Sequence, residues 1–328
     1  MSKSGNISES TNMPVIKIAI VGFGKIARDQ HYPALFDSPA YQLAAVASPD
    51  GAGPEGVDRY DTLDAMLDAV PDIDAVTLCV PPSVRYVLAA KALARGKHVM
   101  LEKPPGTTLN EVAALQRQAE KGGKTLFAAW HSRFAPAVEP ARTWLDKRKV
   151  RSVDIQWKED VRVWHPGQDW IWEPGGMGVF DPGINGLSIA TAILGQPFFL
   201  RKGVLEVPAN RQTPIAADLY FESTDGYPVS AVFDSRQTGP QLWDIHVTTD
   251  EGRLTLSKGG SQMFVDGELQ HEAEEREYPG LYQRFAELVE SVGSEVDATP
   301  LQHVADAFLL SERRSVDPFY WNDLEPSE

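Results

Sequence analysis

Val15-Ile16-Lys17-Ile18-Ala19-Ile20-Val21 runs directly into Gly22-Phe23-Gly24-Lys25-Ile26-Ala27. The first seven residues are apolar except for Lys17, the pattern of a strand buried on both faces. A helical stretch begins straight after the glycines. Strand, Gly22-x-Gly24-x-x-Ala27 and helix, in that order, form the setting in which this motif cradles a dinucleotide. Gly22 permits the tight turn, Gly24 lets a pyrophosphate approach the backbone, and Ala27 lets the helix lie close to the sheet. The pyrophosphate would sit on unpaired N–H groups at the positive end of the helix dipole. Lys25 and Ile26 belong to the same turn and count among the expected cofactor contacts.

The alternation continues away from this turn. Gln42–Ala47, Ala75–Val80, His98–Leu101 and Thr125–Ala129 read as further buried strands. Helices lie between them, one capped by Asp61 or Thr62 and another opened by the capping box Thr108-Leu109-Asn110-Glu111. This is a doubly wound parallel sheet, an N-terminal Rossmann unit over 14–130. Beyond residue 131 the pattern changes. A Trp-, Gly- and Pro-rich loop, Val163–Met177, precedes a helix from about Ile184 to Leu194, and 203–265 alternates with period two between hairpin turns. That predicts an α+β domain over 131–300 with a large, mostly antiparallel open sheet. Two helices, Leu281–Val292 and Leu301–Arg314, close the pattern. The polar stretch 1–13 is expected to be disordered, and 301–328 to be a helix returning to the first domain plus an acidic tail.

Ligands of open α/β sheets bind outside the C-terminal ends of the strands. Ser48 and Asp50 follow the second strand, Pro81 the next buried one, and Glu102-Lys103 the one after it. All are expected at the cofactor. Asp50 is suited to a ribose 2′-hydroxyl, and no Arg or Lys follows it until Arg59, so NAD is favoured over NADP.

Composition narrows the remaining classes. The 328 residues carry a net charge of −15, which repels phosphate backbones and argues against a nucleic acid partner. No apolar run is long enough for a membrane span. A single cysteine, Cys79, allows no internal disulfide, which fits a reducing cytoplasm. No metal-ligand spacing is present. Glu272–Glu277 (EAEERE) reads as a solvated loop, and His31, His98, His246, His271 and His303 show no partner pattern. Trp157 reads as core, Trp164 and Trp243 as walls of a pocket, and Trp170 and Trp172 as residues that close a site or fix the loop.

The glycine turn, Glu102-Lys103-Pro104 and the switch to an antiparallel second domain resemble the Gfo/Idh/MocA oxidoreductases. Lys25–His31, Trp130-His131-Ser132-Arg133, Trp164–Gln168, Trp170–Gly176 and Asp181-Pro182-Gly183-Ile184-Asn185 are similar, within that family, to bacterial aldose 1-dehydrogenases acting on D-galactose and L-arabinose. The resemblance implies NAD(P)-dependent oxidation of a sugar at C1 to the aldonolactone, by a homodimer or homotetramer. It places Lys103, His131, Glu159, His165, Asp181 and Asn185 around the sugar. Many members of the family have a His acid/base where this chain has Asn185, and an amide cannot take that proton. Lys103 or Asp181 is then the base, and a buried pair of this kind titrates as a unit. Two other readings exist within the fold: a non-catalytic nucleotide-binding sensor, and an inositol-type polyol dehydrogenase. Retention of Lys103 and Asp181 favours an enzyme over the first. Asn185 counts against the second.

Overall fold

A computed structural model describes residues 14–321; the expected N-terminal extension and acidic tail lie outside that range. The first sheet is wholly parallel. Its strands are β1 (Ile16–Val21), β2 (Tyr41–Ala47), β3 (Asp58–Tyr60), β4 (Ala75–Leu78), β5 (His98–Glu102) and β6 (Leu126–Ala129), in spatial order β3-β2-β1-β4-β5-β6. Apolar side chains fill both faces: Ile18 and Ile20 join one core, Ala19 and Val21 another. Thr62 caps Leu63–Ala69 through the Ala65 N–H, and the capping box at Thr108 and Glu111 is present.

Gly22 has φ +85°, and a Cβ there would lie 2.7 Å from the Cys79 carbonyl oxygen. Only glycine fits that turn. The chain is helical immediately after it, with a π-helical segment, Ala27–His31, that buries His31 completely.

The second sheet has nine strands: β7 (Val150–Lys158), β8 (Phe198–Pro208), β9 (Ala216–Ser223), β10 (Pro228–Asp234), β11 (Leu242–Thr249), β12 (Gly252–Ser257), β13 (Gln262–Val265), β14 (Glu268–Glu272) and β15 (Glu312–Val316). Their order is β14-β13-β12-β11-β7-β10-β9-β8-β15. Only β7/β10 and β8/β15 pair in parallel. The buried helix Phe180–Ile193 lies against this sheet. It comes so close that a Cβ on Gly186 would lie 2.8 Å from the Trp157 ring.

Two expectations for the C-terminal part are corrected. The helix that returns to the first domain is Glu277–Ser291, whose Leu281, Tyr282 and Phe285 join the core of Ile18, Ile20 and Phe127. Burial of such side chains stabilises by about 1.5–3 kcal/mol each. The later helix, Thr299–Leu310, packs instead on the Phe180–Ile193 helix and β8. It also ends earlier than expected. Ser311 turns extended, and Glu312–Val316 pairs with β8 as an edge strand. Glu312-Arg313-Arg314 carry good helix propensity, and the neighbouring strand overrides it.

Candidate active site

β5 delivers Glu102 and Lys103 to the C-terminal end of the first sheet. Glu102 is buried, yet both of its carboxylate oxygens have donors. Oε1 accepts from the Tyr278 hydroxyl (2.8 Å) and from His31 Nε2 (2.9 Å), and Oε2 accepts from the Lys103 backbone N–H (2.8 Å). Burial, the largest single influence, would raise its pKa. The His31 hydrogen bond and the charges of His31, His131 and Lys103 outweigh it and bring the value down to about 2. Arg85, equally buried, donates to the carbonyl oxygens of Glu102 (2.6 Å), Pro104 and Val80. Burial lowers its pKa to about 10. The turn that carries Lys103 is thus gripped from two sides.

The Lys103 side chain reaches across to the helix Phe180–Ile193. Its Nζ donates to the Asp181 carbonyl oxygen (2.9 Å) and to Asp181 Oδ1 (3.2 Å). This helix begins at Phe180 rather than near Ile184, so Asp181 sits in its first turn, where the dipole favours a carboxylate. Asp181 Oδ2 lies 3.6 Å from His165 Nδ1, and His165 Nε2 lies 3.2 Å from Glu159 Oε1. Glu159 follows β7 and is only 2% exposed. Its Oε2 accepts from Trp243 Nε1 (2.9 Å). The contact from His165 to Oε1 lacks hydrogen-bond alignment, so that oxygen is buried with a lone pair unused. Burial pulls the His165 pKa down most strongly. Glu159 and Asp181 together more than offset it, and the value stands above the usual histidine range.

Lys103, Asp181, His165, Glu159 and Trp243 therefore form one chain of contacts. Trp243 stacks on the buried Trp157 at 5.9 Å and meets the half-exposed Trp164 at 4.7 Å. Asn185 stands one turn beyond Asp181, and no described residue hydrogen-bonds its side-chain amide. His131 is placed differently. It pairs with Glu277 and stacks on Tyr278 at 5.3 Å, which ties it to the Glu102 network. Glu277, expected in a solvated loop, is instead mostly buried in this pair.

At the nucleotide edge, a Cβ on Gly24 would meet nothing within 4 Å, so space for a pyrophosphate lies open beside the turn. Pro81 directly precedes the helix Pro82–Ala94. Lys25 pairs with Asp29, and Ile26 is partly exposed. Asp50 follows β2; its Oδ1 accepts from Ser48 Oγ (2.5 Å) and Ala52 N (3.1 Å). Those bonds, Ser48 first, hold its pKa below the usual carboxylate range, and the Arg28 charge adds to them. Arg28 is a cation near this edge that a search forward from Asp50 misses. A cavity of about 340 Å³ lies between Thr107–Leu109, the Pro174–Met177 loop and the helix Thr299–Leu310, but neither Lys103, Asp181 nor His165 lines it. Among the described residues, no group of three or more His, Cys, Asp or Glu is arranged to hold a metal ion, and no helix is long and apolar enough to cross a membrane.

Comparison with known proteins gives concordant matches. Residues 16–130 match the profile of the Gfo/Idh/MocA oxidoreductase family, described as having an NAD-binding Rossmann fold. The chain is 44% identical over 309 residues to galactose 1-dehydrogenase of Pseudomonas fluorescens, covering 94% of this chain and 100% of that one. The crystal structure of a D-galactose-1-dehydrogenase protein from Rhizobium etli superposes with a TM-score of 0.90 at 56% identity, covering 93% of this chain and 98% of the other. The 3-ketoreductase KijD10 of Actinomadura kijaniata, solved with NADP and TDP-benzene, shares the fold at 19% identity and a TM-score of 0.79, covering 92% and 100%.

Proposed function

We propose, from the chain's membership of the Gfo/Idh/MocA oxidoreductase family, that it oxidises D-galactose at C1 to the galactonolactone with NAD or NADP as hydride acceptor. The observation that carries this reading is the contact of the Lys103 ammonium with Asp181 at the end of β5. It sets a charged, buried proton-transfer pair at the sheet end where the glycine turn opens.

The cofactor fits the residues present. The turn Gly22–Ala27 would take the pyrophosphate, Ser48 and Asp50 the ribose, and Pro81 and Lys103 would flank the nicotinamide. When bound, the nicotinamide supplies the hydride acceptor. The protein's own task is the proton on O1, which must leave as C1 becomes a carbonyl carbon. The Lys103–Asp181 pair takes that proton as a unit: the carboxylate becomes the neutral acid beside the ammonium, with His165 against it. Arg85 and Glu102 keep Lys103 in place and cost no rearrangement during the reaction. Glu159 Oε1, with its spare lone pair, accepts from a sugar hydroxyl. The Asn185 amide can donate to one oxygen and accept from another hydroxyl. Trp164 and Trp243 offer ring faces to the apolar C–H face of a pyranose. His131, paired with Glu277, borders the pocket from the first domain.

L-Arabinose has the same configuration as D-galactose at C2, C3 and C4 and lacks only the C5 hydroxymethyl group. Loss of one such group from a pocket is worth only about 1–3 kcal/mol. A panel of kcat/KM values therefore tests the reading. D-Galactose, L-arabinose and D-fucose should fall within about two orders of magnitude of one another. D-Glucose, the C4 epimer, should be far poorer because its 4-hydroxyl misses its partner. Equal turnover of glucose and galactose would overturn the claim that the pocket reads C4. The same panel run with both nucleotides tests the preference for NAD that Asp50 supports. A cytoplasmic homodimer or homotetramer completes the reading, and light scattering on the purified protein measures the assembly.

A further inference from the structure

We infer that the C-terminal segment Phe319–Trp321 is a positioning strap that fixes the sugar-side loop and thereby sets sugar affinity. The loop in question runs from Asp160 to Trp172 and carries Trp164 and His165. It contains only two short helical turns, Val161–Trp164 and Asp169–Trp172, too short to hold a shape alone. The segment Phe319–Trp321 supplies the missing support. Phe319 is 4% exposed and closes a small apolar cluster with Val161, Ile171, Trp172 and Ile215 that is separate from the main cores. Its ring lies 4.9 Å from Trp172, and the Arg162 guanidinium stands over it at 4.9 Å. Its backbone is held by a reciprocal pair with the Asn210 amide, at 2.9 and 3.0 Å.

The next two residues grip the loop directly. Arg162 donates to the carbonyl oxygens of Tyr320 (3.1 Å) and Trp321 (3.3 Å), and Trp321 Nε1 donates to Asp169 Oδ1 (2.8 Å). Both halves of the loop are thus tied to one short segment. His165 lies between the two tied turns, and its ring bridges Glu159 and Asp181. None of these contacts involves the glycine turn, Asp50 or Pro81. The strap should therefore tune sugar binding and leave nucleotide binding alone.

The inference rests on the reading of Glu159 and His165 as the sugar side, so the test carries two readouts. In the full chain, Phe319→Ala should raise the KM for D-galactose by about tenfold or more, because small displacements of positioning groups are costly. The KM for NAD should stay within about twofold, since a local opening need not spread to other units. Phe319→Leu, which keeps most of the apolar volume, should recover most of the loss. Unchanged sugar KM, or sugar and nucleotide KM rising together, would overturn the inference. Trp321→Phe removes the bond to Asp169 while keeping an aromatic ring against Phe319 and Trp172, and keeps the test open if the alanine variant fails to fold; it should raise sugar KM and spare nucleotide KM. Hydrogen exchange is read on the same proteins without any sugar. Amides of 161–172 should exchange faster in the variants, with those of 16–130 unaltered. If they do not, the strap is wrong whatever the sugar; if they do while no aldose is oxidised by the parent protein, the strap stands and the substrate reading fails.

Discussion

Replacing Lys103 with Met separates what the Lys103–Asp181 pair does for stability from what it does for turnover. In the native site Asp181 is 3% exposed, and Lys103 is the only group that donates to its Oδ1 among the described contacts. The variant leaves that carboxylate buried with His165 3.6 Å away. Removing one partner of a buried pair costs about 3–5 kcal/mol, and the lower figure suits a site whose lysine is partly exposed. The double variant Lys103→Met/Asp181→Leu should regain most of that stability, because no unpaired charge remains buried. Neither variant should regain activity. The proton on O1 then lacks the intact pair that takes it, and kcat should fall by about 10²–10⁴ in both. Thermal melts by circular dichroism and steady-state nicotinamide reduction read the two quantities separately. A single variant as stable as the double, or one that turns over galactose at near-parental rate, would refute the reasoning.

Two other expectations are simpler. Gly186→Ala places a Cβ 2.8 Å from the Trp157 ring and 3.0 Å from Ile155, and should destabilise by about 1–3 kcal/mol in a melting experiment; an unchanged melting temperature would contradict the close packing of helix on sheet. His165 has a pKa raised by its carboxylates, so its stabilising contribution is complete below the unfolded histidine value of about 6.5 and fades as pH rises through the folded value. The stability difference between the parent protein and His165→Gln should therefore be largest near the acid end of that range and shrink on the alkaline side, whereas a difference that grew with pH would contradict the assignment.

The first domain was legible because its signals are local. Val15–Ala27 contains both the buried strand and the turn that ends it, and the Gly22 φ of +85° needs no distant partner to be anticipated. Thr108 and Glu111 sit three residues apart and cap each other. The site was legible in a different way. Lys103 is placed by its strand end, whereas Glu159, His165, Asp181 and Asn185 rest on the resemblance, since no spacing joins residue 103 to residue 181. What holds them was hidden. His31 reaches Glu102 across 71 positions and Tyr278 reaches the same carboxylate across 176, so neither shows in any window of sequence. Arg85 reads as an ordinary helix cation until its guanidinium is seen on three carbonyl oxygens. Glu312-Arg313-Arg314 reads as helix for the same reason, because a parallel edge strand is made by its neighbour β8 and not by its own residues. Phe319 and Trp321 gave no sign of their role, since Trp172 and Asp169 lie about half a chain away.

In the function proposed, hydride leaves C1 of a galactose-configured sugar in the pocket formed by Lys103, Asp181, His165 and Glu159. D-Galactose carrying deuterium only at C1, incubated with the purified protein and NAD, tests it most directly. The deuterium should appear on the reduced nicotinamide in step with galactonolactone, and the Lys103→Met protein should form both about 10²–10⁴ times more slowly. Reduced nicotinamide without deuterium, or full transfer by the Lys103→Met protein, would contradict it.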